Sequence, residues 1–409
     1  MQDPFSNAMA QLDKVAKVKN FGDDIISRLR QPNRDIKVSI PVQMDDGVLK
    51  IFEGYRVEYN NVLGPYKGGI RYHASTNISE VKALAFWMAL KCAVIGIPMG
   101  GGKGGITVDP KLLSKTELEK LSRGWVQRLS DILGPNKDVP APDVNTTAEI
   151  MAWMADEYEK ITGDKTGAVI TGKPLEKGGS LGRDTATAQG GFYAFEALKE
   201  KLGLNKKCDI VIQGFGNAGA NAALIWQAAG HKIVAVSDSK SGVYNRDGLD
   251  IEKLVQHKKD KGSVFGFSKD NQGCTDITNE DLLEMECDLL IPAAFENVIT
   301  EHNVEKIKAS VILELANGPI DAVADEILFK KGVAVIPDVL ANSGGVAVSY
   351  FEWDQNLKNE HWTRTEVFEK LQPMMATAAN EVFATAKSSN TDLRMGAFIR
   401  AIETIERNL

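Results

Sequence analysis

Apolar positions recur at helical spacing over residues 7–30 (Leu12, Val15, Val18, Ile25, Ile26, Leu29), and Gln31-Pro32-Asn33 ends that run. Residues 36–40 alternate apolar and polar as a half-buried strand does. Residues 49–59 alternate again beyond the turn formers Asp45-Asp46-Gly47, so a hairpin or adjacent strand pair is expected. Helical spacing returns over about 80–94, over 116–133, and over about 148–161, where Thr146 and Thr147 can cap. Three prolines within 134–143 exclude regular structure there and predict an extended turn that fixes Asp143. Residues 163–184, rich in Gly, Lys, Thr and Pro, read as a domain junction. Beyond Thr185 the pattern becomes strand-helix alternation. A helix is expected over 186–202, then strands at 209–213, 232–238, 289–291, 311–314 and 333–336. That predicts a doubly wound, mostly parallel sheet. From Val348 onward the chain reads as helices that return to the first domain. The expected architecture is therefore α/β in two domains, 1–180 and 181–359, with helices of about 360–409 packing back on the first.

Length and composition agree with this and narrow the chemistry. A chain of 409 residues is too long for one ordinary core. A net charge of -7 without a basic block argues against a nucleic-acid partner. Cys92, Cys208, Cys274 and Cys287 lack metal-ligand spacing and read as reduced thiols, so a cytoplasmic protein without a metal is expected. The start lacks the basic and apolar regions of a signal peptide, and no apolar run is long enough to span a bilayer.

The chemistry gathers around glycine. Pro98-Met99-Gly100-Gly101-Gly102-Lys103-Gly104-Gly105 sets one lysine in a run of five glycines. Such a run reads most simply as a flexible loop, but it also lets backbone and ligand approach closely. A phosphate-binding P-loop is excluded, because Gly104 stands where Ser or Thr would follow the lysine. Lys67 in Lys67-Gly68-Gly69-Ile70-Arg71, Lys91 and Lys103 together suit a substrate with carboxylates, and Asp143 is either their proton-transfer partner or a turn former. Gly214, Gly216 and Gly219 form Gly-x-Gly-x-x-Gly between a strand and a helix, and Asp238 ends the next strand. That context predicts a pyrophosphate on the helix N-terminus and a ribose on Asp238. Ser239 and Lys240 could instead receive a 2′-phosphate, so NAD and NADP both stay open.

These segments, with Ile291-Pro292-Ala293-Ala294, Ala316-Asn317-Gly318-Pro319 and residues 341–350, resemble the glutamate/leucine/phenylalanine/valine dehydrogenase family over nearly the whole chain. Within it, the resemblance is to the glutamate-specific, hexameric branch. It implies a substrate-binding and oligomerisation domain followed by a Rossmann-type domain. Lys103 matches the catalytic lysine and Asp143 the catalytic aspartate. Lys91 matches the ligand of the substrate α-carboxylate, and Lys67 with Ser349 the pair that binds a side-chain carboxylate. Thr187, Asn217, Asn317 and Asn342 fall where the family contacts the cofactor. Gly102 and Ser343 replace a frequent Ala, and Ala188 a frequent Gly. The implied reaction is reversible NAD(P)-dependent oxidative deamination, in a homohexamer that handles only small molecules. The alternatives are a relative acting on aliphatic or aromatic amino acids, or a silent ligand-sensing member.

Overall fold

The computed structural model describes residues 3–409, and its contacts divide them into two units. Of the described residues, unit 1 holds 3–183, 346–369 and 398–409; unit 2 holds 184–345 and 370–397. This differs from the expected division at the C-terminal end, where 346–359 belong to unit 1 and 370–397 to unit 2. The reason is visible in side chains. Ser349, Glu352 and Gln355 bond into residues 171–180, whereas Asn380 takes a hydrogen bond from Lys201.

Unit 1 opens with α1 (Pro4–Val18) and α2 (Asp23–Leu29), a break inside what reads as one helical run. There follow β1 (Arg34–Gln43), β2 (Leu49–Asn60), β3 (Tyr66–His73), α3 (Ile78–Ile95), β4 (Gly101–Thr107), α4 (Lys115–Leu129), β5 (Asp138–Pro142) and α5 (Ala148–Thr162). The strands form one sheet in the order β1-β2-β4-β3-β5. Two expectations are overturned here. The glycine run is not a loop but β4, in the middle of the sheet, antiparallel to β2 and parallel to β3. The proline segment is also regular: β5 runs parallel to β3 at the edge, where a missing amide donor is tolerated.

Packing explains the glycines. A Cβ on Gly68 would stand 1.6 Å from the Gly102 carbonyl oxygen, and one on Gly101 2.3 Å from the Ala89 nitrogen of α3. Only hydrogen fits. On the other side Trp125 of α4 lies against Gly54 and Gly104, within a core that includes Ile40, Ile70, Tyr72, Ile106 and Met154.

Unit 2 runs α6 (Ala186–Leu198), β6 (Asp209–Gln213), α7 (Asn217–Ala228), β7 (Lys232–Ser237), β8 (Gly242–Tyr244), α8 (Ile251–Lys261), α9 (Phe267–Asp270), β9 (Thr275–Ile277), α10 (Asn279–Leu283), β10 (Leu289–Pro292), β11 (Val311–Leu313), α11 (Ala322–Lys330), β12 (Ala334–Ile336) and α12 (Asp338–Ala341). Its sheet order is β12-β11-β10-β6-β7-β8-β9. The five expected strands are parallel, and β8 and β9 add an antiparallel edge. The winding reverses at β6, so the crevice beyond its C-terminal end is where such sheets take ligands. Three helices close the chain: α13 (Gly344–Lys358), α14 (Arg364–Ser388) and α15 (Leu393–Glu406). No described helix is long and apolar enough to cross a membrane.

Candidate active site

β4 holds Lys103 nearly buried, and its Nζ meets Asp143 Oδ2 at 2.7 Å. Asp143 directly follows β5. Its amide donates to Thr146 Oγ1 at 2.7 Å, and that hydroxyl donates on to the Ile70 carbonyl. Asn145 takes the left-handed conformation at φ 56° and donates to the Tyr72 carbonyl, so the turn is tied to β3 twice. Gly69 permits the approach: a Cβ there would lie 2.7 Å from that of Asp143. Arg71 also reaches Asp143 Oδ2, at 3.2 Å through Nε, while its Nη1 pairs with Glu80. Burial alone would push the Asp143 carboxyl up, but Lys103 and Arg71 outweigh it and hold it down at about 2. Asp143 is therefore ionised at neutral pH.

A second cluster lies deeper in unit 1. Lys67, on β3, donates to the Val139 carbonyl at 3.1 Å and to Thr171 Oγ1 at 2.9 Å. That hydroxyl meets Ser349 Oγ of α13 at 2.6 Å. Lys67 and Ser349 do converge, but through Thr171. Burial, with Arg183 and Arg56 nearby, pulls the Lys67 ammonium down to about 7. Glu352, one turn beyond Ser349, accepts from the amide of Gly172 at 2.8 Å and from Lys173 Nζ at 2.9 Å. It thereby fastens the Thr171 loop to the helix that carries Ser349. Lys91 sits half-buried on α3 beside Cys92, two residues beyond the Ala89 contact with β4.

Arg71 and Thr171 carry no role expected from the sequence, yet both join these clusters. Arg71 shares a strand face with Lys67 and Gly69 by simple alternation, and that signal could have found it. Thr171 lies in the stretch read as a junction, where no periodicity marks it.

The glycines of unit 2 sit as a dinucleotide fold requires. Gly214 has φ 98°, and a Cβ on Gly219 would strike the Gly214 carbonyl oxygen at 1.9 Å. A Cβ on the exposed Gly216 would meet nothing within 4 Å, leaving the approach to the α7 N-terminus open. That terminus has no side-chain cap. These features fit a pyrophosphate on the α7 amides. Asn217 donates to the Asp184 carbonyl, and Thr187 Oγ1 lies against Gly345. Beyond β11 and β12, Asn342 Nδ2 donates to Asn317 Oδ1 at 2.9 Å.

Asp238, directly after β7, is held by five protein donors. Its Oδ1 accepts from the amides of Lys240 and Ser241 and from Ser263 Oγ; its Oδ2 accepts from Lys258 Nζ at 3.1 Å and the Val264 amide at 2.8 Å. Protein donors thus fix the orientation of this carboxylate at the C-terminal end of β7. Lys258, which sequence reasoning missed, offsets the charge that would repel a 2′-phosphate. Among the described residues no cluster is built to hold a metal ion.

Comparison with known proteins bears on both units. The family model for the Glu/Leu/Phe/Val dehydrogenase dimerisation domain matches residues 32–160, and that for Glutamate/Leucine/Phenylalanine/Valine dehydrogenase matches 178–408. The chain is 47% identical to glutamate dehydrogenase of Thermotoga maritima, over 98% of this chain and 96% of that protein. It is 45% identical to the catabolic NAD-specific glutamate dehydrogenase of Bacillus subtilis, over 97% and 93% of the two chains. It is 44% identical to the NADP-specific enzyme of Synechocystis, over 98% and 95%. Among solved structures, glutamate dehydrogenase from Peptoniphilus asaccharolyticus aligns with TM-score 0.90 at 38% identity, covering 100% of this chain and 98% of that one. The hetero-hexameric enzyme of Thermus thermophilus aligns with TM-score 0.92 at 34% identity, covering 100% and 97%.

Proposed function

The chain belongs to the glutamate/leucine/phenylalanine/valine dehydrogenase family, enzymes that use NAD or NADP, and from that premise we propose that it interconverts L-glutamate with 2-oxoglutarate and ammonia. The observation that carries the choice of substrate is the Lys67–Thr171–Ser349 cluster. Its buried cation is met by two carbonyls and a hydroxyl, not by a carboxylate. A carboxylate entering a buried site needs a cation and a hydrogen-bond donor, and this cluster supplies both. An aliphatic side chain would offer Lys67 and the hydroxyl neither a counter-charge nor an acceptor, which disfavours the runner-up.

Lys91 is assigned the α-carboxylate. Lys103 and Asp143 handle protons, which argues against a silent, ligand-sensing member. An ionised Asp143 attracts the substrate ammonium, but beside Lys103 and Arg71 it is a weak base. When Lys103 turns from Asp143 toward the substrate oxygen or the attacking water, Asp143 loses its closest cation and becomes more basic. The two groups thus exchange roles within one cycle. A bound nicotinamide supplies the hydride chemistry. Gly214, Gly216 and Gly219 with the α7 amides are assigned the pyrophosphate, and Thr187, Asn217, Asn317 and Asn342 the rest of the cofactor. Asp238 is assigned the shaping of the segments that flank the ribose.

A homohexamer is the assembly proposed, in line with the hexameric Thermus relative. The large apolar side chains Val48, Leu49, Ile51 and Leu112 support it. They are exposed in the segment that matches the dimerisation-domain model, and Ile51 and Leu112 line one groove. The deciding assay is oxidation of NADH and of NADPH in the presence of ammonium, with 2-oxoglutarate compared against 2-oxopentanoate. Preference for the unbranched apolar oxo acid would overturn the substrate assignment.

A further inference from the structure

Arg394 stands second in α15, in a first turn where the helix dipole disfavours a cation. Three carboxylates from other elements face it. Its Nη2 donates to Glu314 Oε1 at 2.7 Å, its Nε to Asp325 Oδ2 at 2.8 Å, and its Nη1 reaches Asp338 Oδ1 at 3.4 Å. Glu314 directly follows β11, Asp325 lies on α11, and Asp338 opens α12. Asp392, which accepts from the Met395 amide, adds a fourth acid beside the group. Glu314 is fully buried, and burial among these acids pushes it up to about 7 against the pull of Arg394.

Two of these carboxylates go on to hold backbone. Glu314 Oε2 accepts from the Asp338 amide at 2.8 Å, and Asp338 Oδ2 accepts from the Gly318 amide at 2.9 Å. The contacts Arg394–Glu314–Asp338–Gly318 therefore fasten the segment after β11 to the segment after β12. Those segments carry Asn317 and Asn342, whose side chains meet at 2.9 Å. Gly318 sits between its anchors at φ 54°, a conformation that does little to hold the turn by itself.

We infer that Arg394 is a positioning residue for the cofactor: by bridging Glu314 and Asp338 it sets Asn317 and Asn342 at their working separation. The inference rests on the reading that these two asparagines bind the cofactor. A planar fork suits the task, because one guanidinium meets several carboxylates at fixed angles. Without it, Glu314 and Asp338 are adjacent like charges that must separate or take up a proton, and either response loosens the two segments.

The test is the full-length Arg394→Met enzyme, with cofactor Kd from NADH and NADPH fluorescence titration, and with KM for glutamate and for cofactor. A folded variant should show cofactor Kd and KM raised about tenfold or more, while KM for glutamate stays within about twofold. Arg394→Lys, which keeps a cation at Glu314, should recover part of the loss. A folded Arg394→Met with unchanged cofactor Kd overturns the inference, as does an equal rise in both KM values. If Arg394→Met does not fold, Asp325→Asn relaxes the outer side of the fork and should raise cofactor Kd about twofold to threefold; an unchanged value overturns the inference. Asn342→Ala separates the two readings. If it weakens cofactor binding and the Arg394 variants do not, only the positioning role fails. If Asn342→Ala leaves binding unchanged, the cofactor reading falls, and this inference with it.

Discussion

Lys67 gives up its hydration for two carbonyls and one hydroxyl, and its ammonium titrates at about 7 in consequence. At pH 8 much of it is neutral, and an arriving side-chain carboxylate restores the charge. Binding of 2-oxoglutarate at pH 8 should therefore take up close to one proton per subunit. Calorimetry in buffers of different ionisation enthalpy measures this, and the uptake should vanish in Lys67→Met. The same lysine burdens the fold. As pH falls from about 10.5 to 7 the unfolded chain gains a proton that the folded chain does not, so stability declines across that window and levels off below it. Lys67→Met should remove that slope and stabilise the protein by about 1–3 kcal/mol at pH 7, read as a higher Tm, while glutamate kcat/KM collapses and that for norvaline does not. Arg71 carries a third expectation. It helps hold Asp143 ionised, so Arg71→Gln should raise the Asp143 pKa and move the acid limb of the kcat/KM profile to higher pH. An unmoved limb would assign that limb to another group. The two residues that meet, Lys103 and Asp143, were legible as candidates because glycine and proline framed them. Their contact was not, because nothing in the chain reports that β4 and the end of β5 both lie against β3.

At the level of elements, β4 is the segment whose reading failed most usefully. Its residues 101–105 offer no apolar alternation, so nothing local says strand, and glycine run together says loop. What makes it a strand is the space left by its neighbours: β3 at Gly68, α3 at Ala89 and Trp125 at Gly104. The same contacts rank its glycines. Gly102→Ala would meet atoms no closer than 3.2 Å and should cost about 1 kcal/mol or less, whereas Gly68→Ala and Gly101→Ala drive a methyl into backbone and should prevent stable folding. Thermal melts of the three variants check the order, and equal losses would mean that β4 shifts freely in its slot. Elsewhere legibility followed burial. The apolar strands β6, β7, β10 and β11, built from Val, Ile and Leu, announce themselves, because strands covered on both faces read as continuous apolar runs. The three-residue strands β8 and β9 are too short to show a period. The gap between α1 and α2 is hidden because apolar spacing continues across it. The prolines of β5 mislead because edge position cannot be read from a chain.

For the whole molecule, the exposed apolar group around Ile51 and Leu112 sets an expectation about assembly. Ile51→Asp should shift the species seen by light scattering toward smaller oligomers while the subunit Tm drops little, and an unchanged mass would place the interface elsewhere. The division of the chain also bears on the order in which its parts can form. Residues 398–409 belong with the first 183, and the joints are specific: Phe398 stacks on Trp87 at 5.5 Å, Glu403 pairs with Lys19, and Glu406 accepts from the Gly22 amide at 3.1 Å. On a ribosome adding about 5–20 residues per second, that partner segment emerges some tens of seconds after the helices it packs on. Through that interval unit 2, apart from its last stretch, is available to fold, while the earlier-made unit waits with Trp87, Lys19 and α3 uncovered. The earlier-made unit is thus completed by a segment made much later. A nascent chain of this kind is exposed to chaperones and proteases chiefly through its oldest part.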